Sequence, residues 1–172
     1  MSYKVCLVLG AGASVAMGYP VGSELRSNIL EHSTGKYKEF ICSNSLGIFS
    51  DQVEEFVKVF RASQMLSIDA FLARRQEFAE IGKRAISAIL LDRENKDLLH
   101  SCEHNDHWYF YFFNKIAAAH DWDSLSFNEF AIITFNYDRS FEHYMVNALM
   151  NSYGKSFLEA HKKLDSMKIV HI

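Results

Sequence analysis

The sequence predicts an α/β fold in which a short parallel sheet carries a large inserted helical layer, from about residue 36 to about residue 122. Three observations predict it. Val5, Leu7, Val8 and Leu9 form a short apolar run, the pattern of a buried parallel strand, and the run enters Gly10-Ala11-Gly12-Ala13-Ser14 directly. A second apolar run, Phe130 to Phe135, ends in Asn136-Tyr137-Asp138. The long stretch between them carries apolar residues at helical spacing. By length the 172 residues form one domain, large enough to bury a core.

After the first strand, Ser14 can N-cap the next segment, and Gly18 with Pro20 forces a turn. Glu24 to His32 reads as a helix with Leu25, Ile29 and Leu30 on one face, broken by Ser33-Thr34-Gly35. Tyr37 to Ile41 is a short helix, followed by a loop from Cys42 to Gly47. Ile48 to Phe60 is amphipathic: Phe49, Val53, Phe56, Val57 and Phe60 share a face, with Asp51, Glu54, Glu55 and Lys58 opposite. Ser67 caps a helical stretch through Leu72, and Glu77 to Leu91 places Phe78, Ile81, Ala85, Ala88 and Ile89 inward. Asp92 to Asp97 is a charged turn. Every position from Trp108 to Phe113 is aromatic, which predicts a fully buried helical segment continuing to Ala119, packed in the core rather than stacked on a ligand. Asp121 to Asn128 is a loop, and the second strand follows. Phe141 to Met150 and Phe157 to Leu164 are helical, and Met167 to Val170 is a third strand before His171-Ile172.

Composition narrows the function. Lys plus Arg number 18 and Asp plus Glu 21, a net charge of −3, which argues against non-specific nucleic-acid binding. Fourteen Phe and a single Pro suit helices and a dense core, not disorder. Cys6, Cys42 and Cys102 are scattered, so neither a structural zinc nor a redox dithiol is indicated, and an odd count without a signal peptide fits a reducing cytoplasm. The amino terminus is neither a secretory signal nor a membrane span. His100, Cys102, His104 and His107 have side chains that bind metals, but their spacing is not a familiar zinc pattern; a solvated His-rich bend is the expectation, and no metal is assigned.

The chemistry concentrates at two strand ends. Gly10 and Gly12 have no side chains, so a diphosphate could approach the backbone closely, and free N–H groups at a following helix start favour negative charge. The dinucleotide fingerprint would need a third glycine at position 15, where Val15 stands, so a plain tight strand–helix turn is the competing reading. Thr134-Phe135-Asn136-Tyr137-Asp138 lies at the carboxyl end of the second strand, the edge where open α/β sheets bind ligands. Its competing reading is structural: Asn136 turns the chain and Asp138 N-caps the next helix.

Together these motifs resemble the SIR2-like branch of the sirtuin superfamily. Its hallmarks are a G-A-G-x-S loop, then T-x-N-Y-D after a later strand, then a short strand leading into H-G. The string beginning Gly18-Tyr19-Pro20 and the helical stretch Ser67 to Ile86 are similar to that family too. The resemblance implies a Rossmann-like domain that binds NAD, in bacterial members often an NAD glycohydrolase of anti-phage defence. It implies that Gly10, Ala11, Gly12, Ala13 and Ser14 hold the diphosphate and nearby ribose. Pro20, Thr134, Asn136, Tyr137 and Asp138 complete the cofactor-binding set, with Asn136 beside the attacking water and Asp138 orienting ribose or nicotinamide. Asn136, Asp138 and His171 are the candidate catalytic residues. Nicotinamide leaves neutral, so no general acid is needed; the transition state is oxocarbenium-like, an Asn amide can position water, and a His can take its proton.

The chain departs from the deacylase sirtuins. It cannot build their four-cysteine zinc module, and Phe135 replaces a glutamine, so protein deacylation is not expected. Lys168-Ile169-Val170-His171-Ile172 stops where the family's H-G would stand, so the sequence reads as an amino-terminal part lacking its last strands, with His171 either a substitute base or a neighbour of one. The resemblance further implies a carboxyl-terminal effector or sensor domain, homo-oligomers and a cytoplasmic location, with no membrane and no direct nucleic-acid partner. A module that holds NAD or ADP-ribose without turnover is the alternative. An NAD-dependent oxidoreductase is a weaker one, because the sequence lacks the acidic residue expected at a second strand's end about 20 residues past the loop.

Overall fold

A computed structural model describes residues 4–95, 99, 107–118 and 120–172. The chain divides into two compact units, Met1–Gly18 with Asn95–Ile172, and Tyr19–Glu94. The first carries the sheet and the second is helical. Where the sequence places a helical insert at about 36–122, the helical unit takes in the helix before residue 36 and leaves the aromatic helix with the sheet.

In the sheet unit, β1 (Val5–Leu9), β2 (Phe130–Thr134) and β3 (Lys168–His171) are parallel, in the order β1-β2-β3. The mixed α/β class expected from the sequence is observed. Alternation of side chains gives the sheet two faces. Leu9, Ile132 and Thr134 share the buried one, and Phe130 on that face packs on Phe112 at 5.6 Å between ring centroids. On the other face Cys6 is exposed and Val8 is 65% exposed. The expectation that β1 is buried is therefore corrected: it is an edge strand with one face open among the described residues, and only Leu9 of its five residues is buried.

This unit also contains α6 (Trp108–Ala117), α7 (Ser140–Tyr153) and α8 (Phe157–Leu164). The aromatic run is not fully buried as the sequence suggested. Tyr109, Phe113 and Ile116 point inward, while Tyr111 is 64% and Phe110 40% exposed, because a helix turns a continuous apolar run around its axis. Gly154 ends α7 at φ 61°, a left-handed cap that favours glycine. Ser156 opens α8 with a capping box, accepting from Glu159 N while Glu159 Oε2 accepts from Ser156 N at 2.9 Å.

The helical unit comprises α1 (Gly22–His32), α2 (Lys38–Ile41), α3 (Ser50–Ala62), α4 (Ile68–Arg74) and α5 (Ala79–Arg93). Leu25, Ile29, Val53, Phe56, Val57, Phe60, Ile81, Ala85 and Ile89 are buried in its core, as their spacing predicts. Ser67 caps α4 as expected, accepting from Ala70 N at 3.2 Å. Phe49 does not join the core face: α3 starts at Ser50, two residues after the expected Ile48, Phe49 is its N-cap residue in extended conformation, and its ring is 54% exposed. No described helix is long and apolar enough to cross a membrane.

Candidate functional site

The parallel register brings the two motifs to one edge. Leu9, Thr134 and His171 are partners across the three strands. Phe135 N then donates to Leu9 O, and Ile172 N to Thr134 O, both at 3.0 Å, so all three chains leave the sheet at the same level. This is the carboxyl edge.

Past β1 the chain forms a 3₁₀ helix over Ala11–Met17, longer than the usual three or four residues, ended by Gly18 at φ 83°. Its N-cap residue Gly10 is extended, with φ −117° and ψ −179°, and no described side chain caps the segment. Neither Gly10 nor Gly12 is in the left-handed region, and a Cβ built on either would meet nothing within 4 Å. Backbone conformation and internal packing therefore leave both positions free to carry a side chain. Among the described residues nothing lies within 4 Å of a side chain begun at either position.

Ser14 does not N-cap as the sequence suggested. It sits within the 3₁₀ segment, 1% exposed, and its Oγ accepts from Asn136 Nδ2 at 3.0 Å. That bond joins the two motifs directly. Thr134, also buried, accepts from Asn136 N at 3.1 Å through Oγ1, turning the chain off the strand. Asn136 Oδ1 is buried and has no hydrogen-bond partner; among described side chains only Ser33 Oγ shares that condition. Asp138 stands one residue ahead of the α7 N-cap, Arg139, rather than at it. Its Oδ1 accepts from Ser140 N at 3.0 Å and also takes the Ser140 hydroxyl.

Four residues that sequence reasoning missed shape this edge. Trp108 Nε1 donates to Ala13 O at 2.9 Å, with its ring stacked on Phe141 at 5.5 Å, so α6 pins the 3₁₀ segment. Tyr109 OH lies 2.7 Å from Ser140 Oγ, and Ser140 Oγ lies 3.5 Å from Ser14 Oγ. Burial raises the Tyr109 phenol above its usual pKa; hydrogen bonds with Ser140 and Ser14 oppose the rise, and the nearby carboxylates Asp138 and Glu142 reinforce it. The fourth is Glu142. His171 Nε2 and Glu142 Oε1 are 2.8 Å apart, and Arg139 Nη1 binds the same carboxylate oxygen at 3.0 Å. His171 thus shares the edge with Asn136 and Asp138 through the sheet register, but its hydrogen-bond partner is Glu142.

The remaining candidates lie as follows. Ala11 and Gly12 are exposed, and Ala13 N donates to Gly10 O at 2.8 Å. Phe135 and Tyr137 are 58% and 50% exposed beside Asn136. Pro20 belongs to the helical unit and is buried. His107 serves as the N-cap of α6, its Nδ1 accepting from Phe110 N at 3.2 Å; His100, Cys102 and His104 lie outside the described residues. Among the described residues no three His, Cys, Asp or Glu side chains gather as a metal site. A groove of about 520 Å³ opens near the amino ends of β2 and β3, lined by Trp122, Leu125, Ser126, Asn128, Lys163 and Ser166. It is remote from the motifs, and Lys163 Nζ there already donates to Trp122 O and Leu125 O.

No protein-family model, no curated protein and no solved structure matches the chain.

Proposed function

We propose that the carboxyl edge of the sheet unit binds NAD and releases nicotinamide from it, the chain being a Rossmann-like, SIR2-like domain. The observation that carries this reading is the Ser14–Asn136 hydrogen bond with Asn136 Oδ1 left buried and unpartnered. A buried acceptor without a donor costs about 1–3 kcal/mol. A ribose hydroxyl or an attacking water would supply that donor. The glycines support the same reading. Gly10 and Gly12 face open space and need no special backbone conformation, so a close-lying diphosphate is a reason for glycine at both.

In this reading the 3₁₀ segment holds the diphosphate, Ser14 and Asn136 hold the nicotinamide ribose, and Asp138 anchors the start of α7 through Ser140. Nicotinamide departs as a neutral base from an oxocarbenium-like centre, so the protein's task is to orient ribose and one water. Asn136 can do that without adding charge.

A module that binds NAD or ADP-ribose without turnover is the second reading, and the His171–Glu142 pair favours it, because His171 at this edge pairs with Glu142. Incubation with NAD and measurement of free nicotinamide separates the two. The first reading predicts release that Asn136→Ala lowers by about 10²-fold or more, in the range of a positioned catalytic group, while His171→Ala is milder. Binding without release supports the module. Formation of NADH, or release unchanged in Asn136→Ala, contradicts the glycohydrolase reading.

A further inference from the structure

The hydroxyl network beneath the edge has a direction set by Asp138. A carboxylate only accepts, so Ser140 donates its single hydroxyl proton to Asp138 Oδ1, which also accepts from Ser140 N. Ser140 Oγ must then accept at its 2.7 Å contact, and Tyr109 OH is the donor. With that proton committed to Asp138, Ser140 Oγ can only accept across the 3.5 Å contact from the Ser14 hydroxyl, whose Oγ in turn accepts from the Asn136 amide. Tyr109 is 1% exposed, and its ring is held edge-on by Trp108 at 4.6 Å and Phe141 at 5.4 Å. The phenol is therefore a fixed donor, rigid in two directions.

We propose that Tyr109 is a positioning residue for the candidate site: through Ser140 it fixes Ser14, and Ser14 orients the Asn136 amide and with it the buried acceptor Oδ1. Nδ2 and Oδ1 are opposite ends of one planar group. A partner that holds Nδ2 on Ser14 decides where the acceptor points. Because the relay ends on Asn136, its effect on ligand binding rests on the NAD reading above, whereas its effect on the amide does not.

The test uses the 15N-labelled full chain. The Asn136 side-chain amide signals are assigned by their loss in Asn136→Ala. Tyr109→Phe keeps the ring and removes the hydroxyl. It is expected to shift or broaden the Asn136 amide signals and to weaken NAD binding about tenfold, the scale of one buried hydrogen bond, while the circular dichroism spectrum stays native. Ser140→Ala breaks the relay one step further on and serves if Tyr109→Phe does not fold. The double variant should be no worse than the more severe single one, the non-additivity of groups acting in one network. A folded Tyr109→Phe or Ser140→Ala protein with Asn136 amide signals in place overturns the proposal, as does full additivity. Absence of NAD binding by the unaltered chain overturns the NAD reading alone, and the amide signals still decide the relay.

Discussion

Gly12 is the residue at which the proposed ligand binding can be separated from folding. Its φ is not left-handed and a Cβ there meets nothing within 4 Å. Gly12→Ala should then leave stability unchanged or raise it by about 0.4–1 kcal/mol, because alanine restricts the unfolded chain. The same methyl group would stand where a diphosphate approaches, so NAD affinity should fall. Urea unfolding and calorimetry on one preparation check both; a destabilised variant, or one with unchanged affinity, removes the open-space argument. Tyr109 makes a second residue-scale prediction. Its folded pKa is raised from 10.0, chiefly by burial, so the folded state holds the phenolic proton more tightly than the unfolded chain. The stability this confers is fully present below about pH 10 and is lost as pH rises through the raised value. Tyr144 and Tyr153 shift in the same direction, also by burial. Thermal midpoints should fall above about pH 10, and less steeply in Tyr109→Phe than in the unaltered chain.

Among the elements, α3 carries part of the aromatic core of the helical unit. Phe56 is fully buried and its ring meets Phe60, Phe71 and Phe78 at 5.8 to 6.1 Å, contacts reaching α4 and the turn before α5. Phe56→Ala should cost about 3–5 kcal/mol, measured by denaturant unfolding; a loss under about 1 kcal/mol would mean this aromatic cluster is not the core of the unit. These positions were legible in the sequence because helical spacing alone places Val53, Phe56, Val57 and Phe60 on one face. Phe49 was not, since a helix that begins two residues later, at Ser50, turns the same spacing into an N-cap. The aromatic run in α6 misled for a related reason. Six neighbouring rings cannot all face inward on a helix, and nothing local says which phase the core selects. For β1, apolar composition could not distinguish a strand covered on both faces from an edge strand with Val8 in the open.

At the scale of the molecule, the sheet register explains why two motifs more than a hundred positions apart meet at Ser14 and Asn136. The meeting was readable in advance, because parallel strands bring their carboxyl ends to one edge. The network beneath it was not. Tyr109, Ser140, Glu142 and Trp108 act through side-chain phases on α6 and α7, which only packing sets. His171 was readable as an edge residue, but its pairing with Glu142 depends on where the first turn of α7 falls. Binding of NAD at the Ser14–Asn136 junction is read from calorimetric titration of NAD into the unaltered chain and into Asn136→Ala. The account predicts saturable binding that weakens at least about tenfold, the scale of one or more lost buried hydrogen bonds, in a variant whose circular dichroism spectrum is unchanged. Equal affinity of the two folded proteins, or no heat of binding in the unaltered chain, would contradict it.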